Sequence, residues 1–530
     1  MDLKSLSIKM GVAPPFVVMG ITLVGIWLFQ ALLKRINRKW QRKAALPPGS
    51  MGLPLLGETF EFFARSPSLD LLPFFKRRME RYGPIFKTNL VGKDLIVSLD
   101  PEVNHFVLQQ EEKAFHIWFP ESFMRLLGEE NIAKCYGSLH KNTRNLIRRV
   151  FGPENLRLVL LHDMQGAVEK CLSSWHDSPS GVELKPALSS MIFGIAAKWM
   201  IGHEASVLSG DLWKNFDAFN QGLLSFPIHI PGTAFYRCMQ GRNNVMKTLK
   251  QVLDDRKKAG TRERMDFIDV VVSELSKENP ALSENLALNV LFLLIFASFE
   301  TTSSALTAAV KFLLENPKAL QELEDEHQQI RKRRADPDAE ITWEEYKSMK
   351  FTSHVINESL RLANVAPVLF RKAIKDVQIK GYTIPEGWIV MICPPAVHFN
   401  PTTYDDPSVF NPWRWKDLPE PVGGSKDFIA FGSGLRLCVG IDFARLQMAM
   451  FFHFLVTKYR YCTKPNVVTF RSIFFNEKII MHGTPQFMHV INIVNVVFCD
   501  RLKVISGGDM ECGPGLWFPN GFRIQLELKK

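Results

Sequence analysis

Apolar positions fall along this chain in three patterns. Val12 to Leu33 is almost uninterrupted, with Thr22 and Gln30 as its polar exceptions, and 22 such residues are enough to cross a hydrocarbon core about 30 Å thick. A second pattern has helical period. Ser283 opens a helix that Asn316-Pro317 stops at Glu315, and its Leu286 to Phe299 portion is nearly all apolar. That run is too short for a bilayer, which predicts a central helix buried inside the protein. Lys350 to Leu362 and Val439 to Tyr459 are also predicted helices, the latter with Phe443, Leu446, Met450, Phe451 and Phe454 at helical spacing. The third pattern is short and β-like. Val377 to Thr383 and Trp388 to Ile392, joined through Pro385-Glu386-Gly387, predict a hairpin, and Val504 to Leu528 predicts another. The expected fold is mainly α with small peripheral β-sheets.

No Gly/Ser linker or internal repeat divides residues 60 to 460, so one large domain is expected. Residues 1-45 read as a membrane anchor and basic flank, 46-57 as a stiff proline-rich hinge (Leu46-Pro47-Pro48-Gly49), and 58-530 as the globular domain. Lys34, Arg35, Arg38, Lys39, Arg42 and Lys43 directly follow the apolar run, and this keeps the downstream chain cytosolic. The alternative is a cleaved signal peptide, against which stand the length, the position of the basic flank and the lack of a small-residue cleavage site. Pro14 and Pro15 sit where a first helical turn has no N–H partners to lose.

The net charge is +11, and residues 1-45 hold eight Lys/Arg against Asp2 alone, so most of the excess belongs to the anchor. A nucleic-acid partner is therefore not expected. Arg331-Lys332-Arg333-Arg334 leads into Asp336-Pro337-Asp338 and reads as a solvated connector. Eight cysteines without CxxC spacing exclude a zinc, iron–sulfur or disulfide framework and suit a reducing compartment. Asn357-Glu358-Ser359 is a glycosylation sequon inside a predicted buried helix, where it would stay unused.

The chemistry concentrates in Phe431-Gly432-Ser433-Gly434-Leu435-Arg436-Leu437-Cys438-Val439-Gly440, which fits F-x-x-G-x-R-x-C-x-G, a pattern that presents one cysteine sulfur to a haem iron. A thiolate is favoured where a helix begins, glycines let the backbone lie close to a flat macrocycle, and Arg436 is spaced to pair with a propionate. A thiolate axial ligand favours O–O cleavage, hence oxygen activation. Upstream, Ala297-Ser298-Phe299-Glu300-Thr301-Thr302 sets a carboxylate and two hydroxyls in an apolar helix, costly unless satisfied or useful.

On these residues the chain resembles the cytochrome P450 superfamily of haem-thiolate monooxygenases, and in several segments its plant steroid- and triterpenoid-oxidising branch. The resemblance implies haem b held by Cys438 as iron ligand, with Arg436, His140, Arg144, Arg371 and Phe431 around the cofactor. His140 and Arg144 resemble a W-x-x-x-R element with His in the tryptophan's place. It implies a proton relay through Thr301 and Glu300, with Ser298 where the family usually has glycine. Glu358 and Arg361 resemble the E-x-x-R pair, and Arg414 the third member of that structural network. An apolar substrate would meet Phe115, Trp118, Phe123, Ala297, Val365 and Leu369, which read equally well as core. Also implied are electrons from NADPH through NADPH-cytochrome P450 reductase, and a single-pass location in the endoplasmic reticulum membrane.

One stretch departs from the family. Thr457-Lys458-Tyr459-Arg460 would continue naturally into Lys503-Val504-Ile505-Ser506, but 461-502 intervenes and reads as an insertion extraneous to the fold. Two rivals follow: a haem-thiolate isomerase or dehydratase needing no reductase, and a membrane-bound lipid-binding protein that the insertion has inactivated.

Overall fold

The computed structural model describes residues 24–25, 45–53, 56–202, 209–259, 266–416, 424–460 and 503–529. The expected membrane anchor falls almost entirely outside these residues, as does 461-502. The described fold is mainly helical with small sheets.

The helices that position the site are α1 (Pro101–Gln109), α2 (Gly137–Phe151), α3 (Leu184–Ile201), α4 (Ser209–Gly222), α5 (Glu284–Glu315), α6 (Pro317–Lys332), α7 (Lys350–Ala363) and α8 (Ile441–Lys458). The central helix is α5. Ser283 caps it by accepting the Leu286 N–H at 3.0 Å, as an Ncap serine does, and the Pro317 that follows cannot continue it. Although α5 is long and apolar enough to span a membrane, it is mostly buried against α3, α7 and α8 within one large core. Asn364, left-handed at φ 42, ends α7. That core accounts for the apolar faces of α3, α5 and α8, whose side chains exclude water from the middle of the molecule.

A five-stranded sheet lies to one side, in the order β1 (Ile85–Leu90), β2 (Lys93–Ser98), β7 (Ile389–Ile392), β4 (Leu369–Ala373), β3 (Phe115–Ile117). Its β2–β7 pair is parallel and its other pairs are antiparallel. The expected hairpin is revised. β5 (Val377–Ile379) folds back on β6 (Tyr382–Ile384) through Lys380-Gly381, both at positive φ, while the stretch expected as the second arm leaves as β7 and pairs with β2 and β4. The two left-handed residues make a tight turn that matches strand twist, which Pro385-Glu386-Gly387 does not.

At the C-terminal end, β8 (Tyr459–Arg460) pairs with β11 (Glu527–Leu528), and β9 (Lys503–Gly507) with β10 (Phe522–Gln525). The chain on either side of 461-502 is thus built into small antiparallel sheets.

Candidate active site

The loop before α8 is a narrow turn. The Cys438 N–H donates to the Phe431 carbonyl at 3.0 Å and the Gly432 N–H to Ile429 at 2.9 Å. Gly434 sits at φ +67, and a Cβ there would lie 2.3 Å from the Leu108 carbonyl oxygen, so no other residue fits. This close approach seats the loop on the end of α1. Cys438 lies deep in the protein, yet its side chain is exposed. Its sulfur therefore opens onto space inside the molecule. Burial pushes its thiol pKa up, opposed by the Gly440 N–H and the Arg144 charge. The helix expected from Val439 begins at Ile441, two residues later, with Gly440 as its N-cap. A cation bound at the sulfur would favour the thiolate.

Thr301 stands on α5. It is exposed and Ala297 is half-buried, while Phe299, Thr302 and Ser303 are buried. The Thr301 hydroxyl donates to the Ala297 carbonyl at 2.8 Å and the Ser298 hydroxyl to Ile295 at 2.7 Å, so both back-bond to their own helix. Glu300 turns its carboxylate to Lys185 on α3, at 2.8 Å, and to the Asn220 amide on α4, at 2.7 Å.

The cationic residues gather beside the cysteine loop. Arg144 on α2 donates to the Leu437 carbonyl at 2.6 Å. His140, one turn earlier, is buried, and desolvation together with Arg436 and Arg144 holds its pKa down to about 4, so it is neutral near pH 7. Arg436 donates from Nη1 to the Ile132 carbonyl (3.0 Å) and from Nη2 to that of Cys135 (2.6 Å), and lies 5.2 Å over the Tyr136 ring. Arg371 on β4 is buried and joins Arg436 on Glu111, a residue sequence reasoning missed. Glu111 stands in Gln109-Gln110-Glu111-Glu112, a polar run that reads as surface, and no pattern marks it.

Elsewhere, Glu358 and Arg361 are fully buried on α7. Glu358 accepts from Arg361 Nε (2.9 Å) and Nη2 (2.7 Å), Arg414 Nε (3.0 Å), the Asn411 N–H (3.0 Å) and Trp415 Nε1 (2.9 Å). Arg361 Nη1 reaches the carbonyls of His398 and Pro407, each at 2.6 Å. Trp415 and His398 went unnoticed in the sequence because their partners are distant in the chain.

Among the apolar candidates, Trp118, Phe123, Val365 and Leu369 are half-buried, and Trp118 packs edge-on against Phe370 at 5.7 Å. Phe115 is a correction. It is completely buried in the sheet-side core with Val107, Leu108 and Ile392, so it has no surface left for a ligand. Its alternation on β3 points it into that core rather than toward Cys438.

These residues fit an iron porphyrin. One thiol faces internal space, and three guanidinium groups and a neutral histidine cluster at the loop's edge, with Arg371 and Arg436 sharing the buried Glu111 carboxylate and suited to further anionic oxygens. Phe431 is half-buried, with the Arg445 guanidinium 5.9 Å over its ring.

Comparison with known proteins gives a family model described as Cytochrome P450, matching residues 47–489. The chain is 48% identical over 482 residues to Cytochrome P450 87A3 of Oryza sativa subsp. japonica, covering 91% of this chain and 86% of that protein. It is 42% identical to Cucurbitadienol 11-hydroxylase of Siraitia grosvenorii, covering 82% and 92% respectively. Among solved structures it resembles a retinoic acid-bound cyanobacterial protein, CYP120A1, with TM-score 0.74 and 26% identity over 92% of this chain and all of that one.

Proposed function

This chain belongs to the cytochrome P450 family and is a haem-dependent monooxygenase, and from that premise we propose that it hydroxylates a sterol- or triterpenoid-like substrate. The carrying observation is the 42% identity, over most of both chains, to a hydroxylase of cucurbitadienol, a rigid apolar polycycle. In this reading Cys438 ligates the haem iron, and His140, Arg144, Arg371 and Arg436 hold its carboxylates. The bound haem supplies oxygen activation. The chain's own residues do the rest.

Trp118, Phe123, Ala297, Val365 and Leu369 form the apolar wall that orients the substrate and excludes water. The Thr301 hydroxyl, accessible from inside, passes protons toward the oxygen-binding side. Glu300 supplies them from its polar end, where Lys185 and Asn220 hold its carboxylate. Glu358, Arg361 and Arg414 act structurally, tying α7 to the loop that precedes the cysteine segment.

Electrons are proposed to come from NADPH through NADPH-cytochrome P450 reductase. The membrane is the endoplasmic reticulum, reached through residues 12 to 33. Leu224, Phe226, Ile228 and Ile230 are exposed apolar side chains in one short segment and suit a membrane surface. Residues 461-502 are proposed to be an insertion, because the chain on both sides already enters paired strands.

The test is to feed sterols and triterpenes to microsomes from yeast co-expressing the chain and a reductase. The expected result is a product heavier by one oxygen that requires NADPH. Product formation without NADPH, or turnover of unbranched lipids alone, would overturn the proposal.

A further inference from the structure

Glu111 is 1% exposed and touches three separate parts of the chain. Its Oε1 accepts the Ile117 N–H of β3 at 3.0 Å and Arg436 Nε at 3.1 Å, and its Oε2 lies 2.7 Å from Arg371 Nε. Two guanidinium groups brought together in a buried place repel each other, and a buried carboxylate without partners is costly. Each therefore makes the other's position tenable. Charge carries the argument further. Arg371 and Arg436 share the Glu111 carboxylate, while Arg144 and Glu112 stand beside them, so the cluster keeps a net positive charge that the propionates of a haem would offset. His140 adds none while it stays neutral.

We propose that Glu111 is a positioning residue for the haem carboxylates: it holds Arg371 and Arg436 side by side and offsets their mutual repulsion, so that both face the propionates together. This rests on the haem-binding reading above. Glu111 itself does not touch the cofactor. It fixes Arg371 on β4 and Arg436 two residues before Cys438, so that both present their remaining N–H groups together. The arrangement is preorganised, since three of the Arg436 N–H groups are already committed to Glu111, Ile132 and Cys135.

The experiment compares the full-length wild type with E111Q and E111D, reading the haem midpoint potential and the rate of haem transfer to apomyoglobin. Losing a charge-assisted hydrogen bond corresponds to haem loss about tenfold to a hundredfold faster in E111Q. Removing a negative charge near the haem favours the reduced iron, so the E111Q potential is expected to rise, while E111D, which keeps the charge, stays at the wild-type potential. The inference is overturned if E111Q matches wild type in both readouts, or if E111D shifts its potential as far as E111Q. Where E111Q yields no folded protein, haem transfer from E111D decides: a shorter side chain that no longer holds both arginines should release haem faster than wild type, and a wild-type rate overturns the inference. A wild type that binds no haem would sink the haem-binding reading itself, an outcome distinct from haem-loaded wild type with an indifferent position 111.

Discussion

Replacing Glu358 by alanine removes the acceptor of five hydrogen bonds at once and leaves Arg361, which is fully buried, and Arg414, nearly so, without their shared counter-charge. Breaking a buried ion pair by deleting one partner costs about 3–5 kcal/mol. Whole domains are stable by only about 5–15 kcal/mol. E358A should therefore lose about a fifth or more of the total and accumulate poorly. E358Q keeps the volume but turns an amide donor toward guanidinium donors, at a cost of about 3 kcal/mol. The assay is urea unfolding followed by tryptophan fluorescence, which Trp415 reports directly since its indole donates to Glu358. A double-mutant cycle with Arg361→Gln adds the decisive comparison: E358Q/R361Q should be less destabilised than the sum of its single variants, because no unpaired charge remains between them. An E358A protein within about 1 kcal/mol of wild type, or a cycle with no coupling, would refute this reasoning.

Acid should destabilise the fold well above the pH at which carboxylates titrate. His398 donates from Nδ1 to Asn364 and accepts the Ile429 N–H at Nε2, so its neutral form is required, and burial holds it, like His327, at a pKa of about 3. Below about pH 6.5 the unfolded chain takes up protons that these two refuse, so stability is full above that pH and falls on acidification by up to about 1.4 kcal/mol per unit for each histidine. Asp266, whose burial raises it to about 6, opposes with one proton. Urea midpoints that stay flat between pH 7 and 4.5 would contradict this. Gly434→Ala should cost more than about 2 kcal/mol and strip haem retention, since the loop must retreat from the Leu108 carbonyl; a variant with normal haem content would count against it. Thr301→Val should leave the unfolding midpoint within about 1 kcal/mol of wild type, because only a back-bond to Ala297 is lost, while product per NADPH consumed falls severalfold. Unchanged coupling would remove Thr301 from the relay.

Legibility followed chain distance. Helix α5 was readable to within a residue because its cap, apolar run and terminating Asn-Pro are local, and the cysteine loop because its glycines and arginine lie close to Cys438. Strand pairing was not: Trp388 to Ile392 looked like a hairpin arm, but its partners are Lys93–Ser98 and Leu369–Ala373, chosen by the tertiary fold. Phe115 was misassigned because a lone aromatic ahead of a helix carries no sign of which side it faces. Glu111 was invisible because burial of a glutamate depends on arginines more than 250 positions away. The upward shift of the Cys438 thiol escaped for the same reason, since desolvation is set by the assembled core.

The account stands on sulfur from Cys438 bound to haem iron, and the reduced, carbon-monoxide-bound absorption spectrum reads that bond. Wild type is expected to show the red-shifted Soret band of a thiolate ligand, and Cys438→Ala to lose it even where haem is retained. An unchanged band in Cys438→Ala would contradict the account.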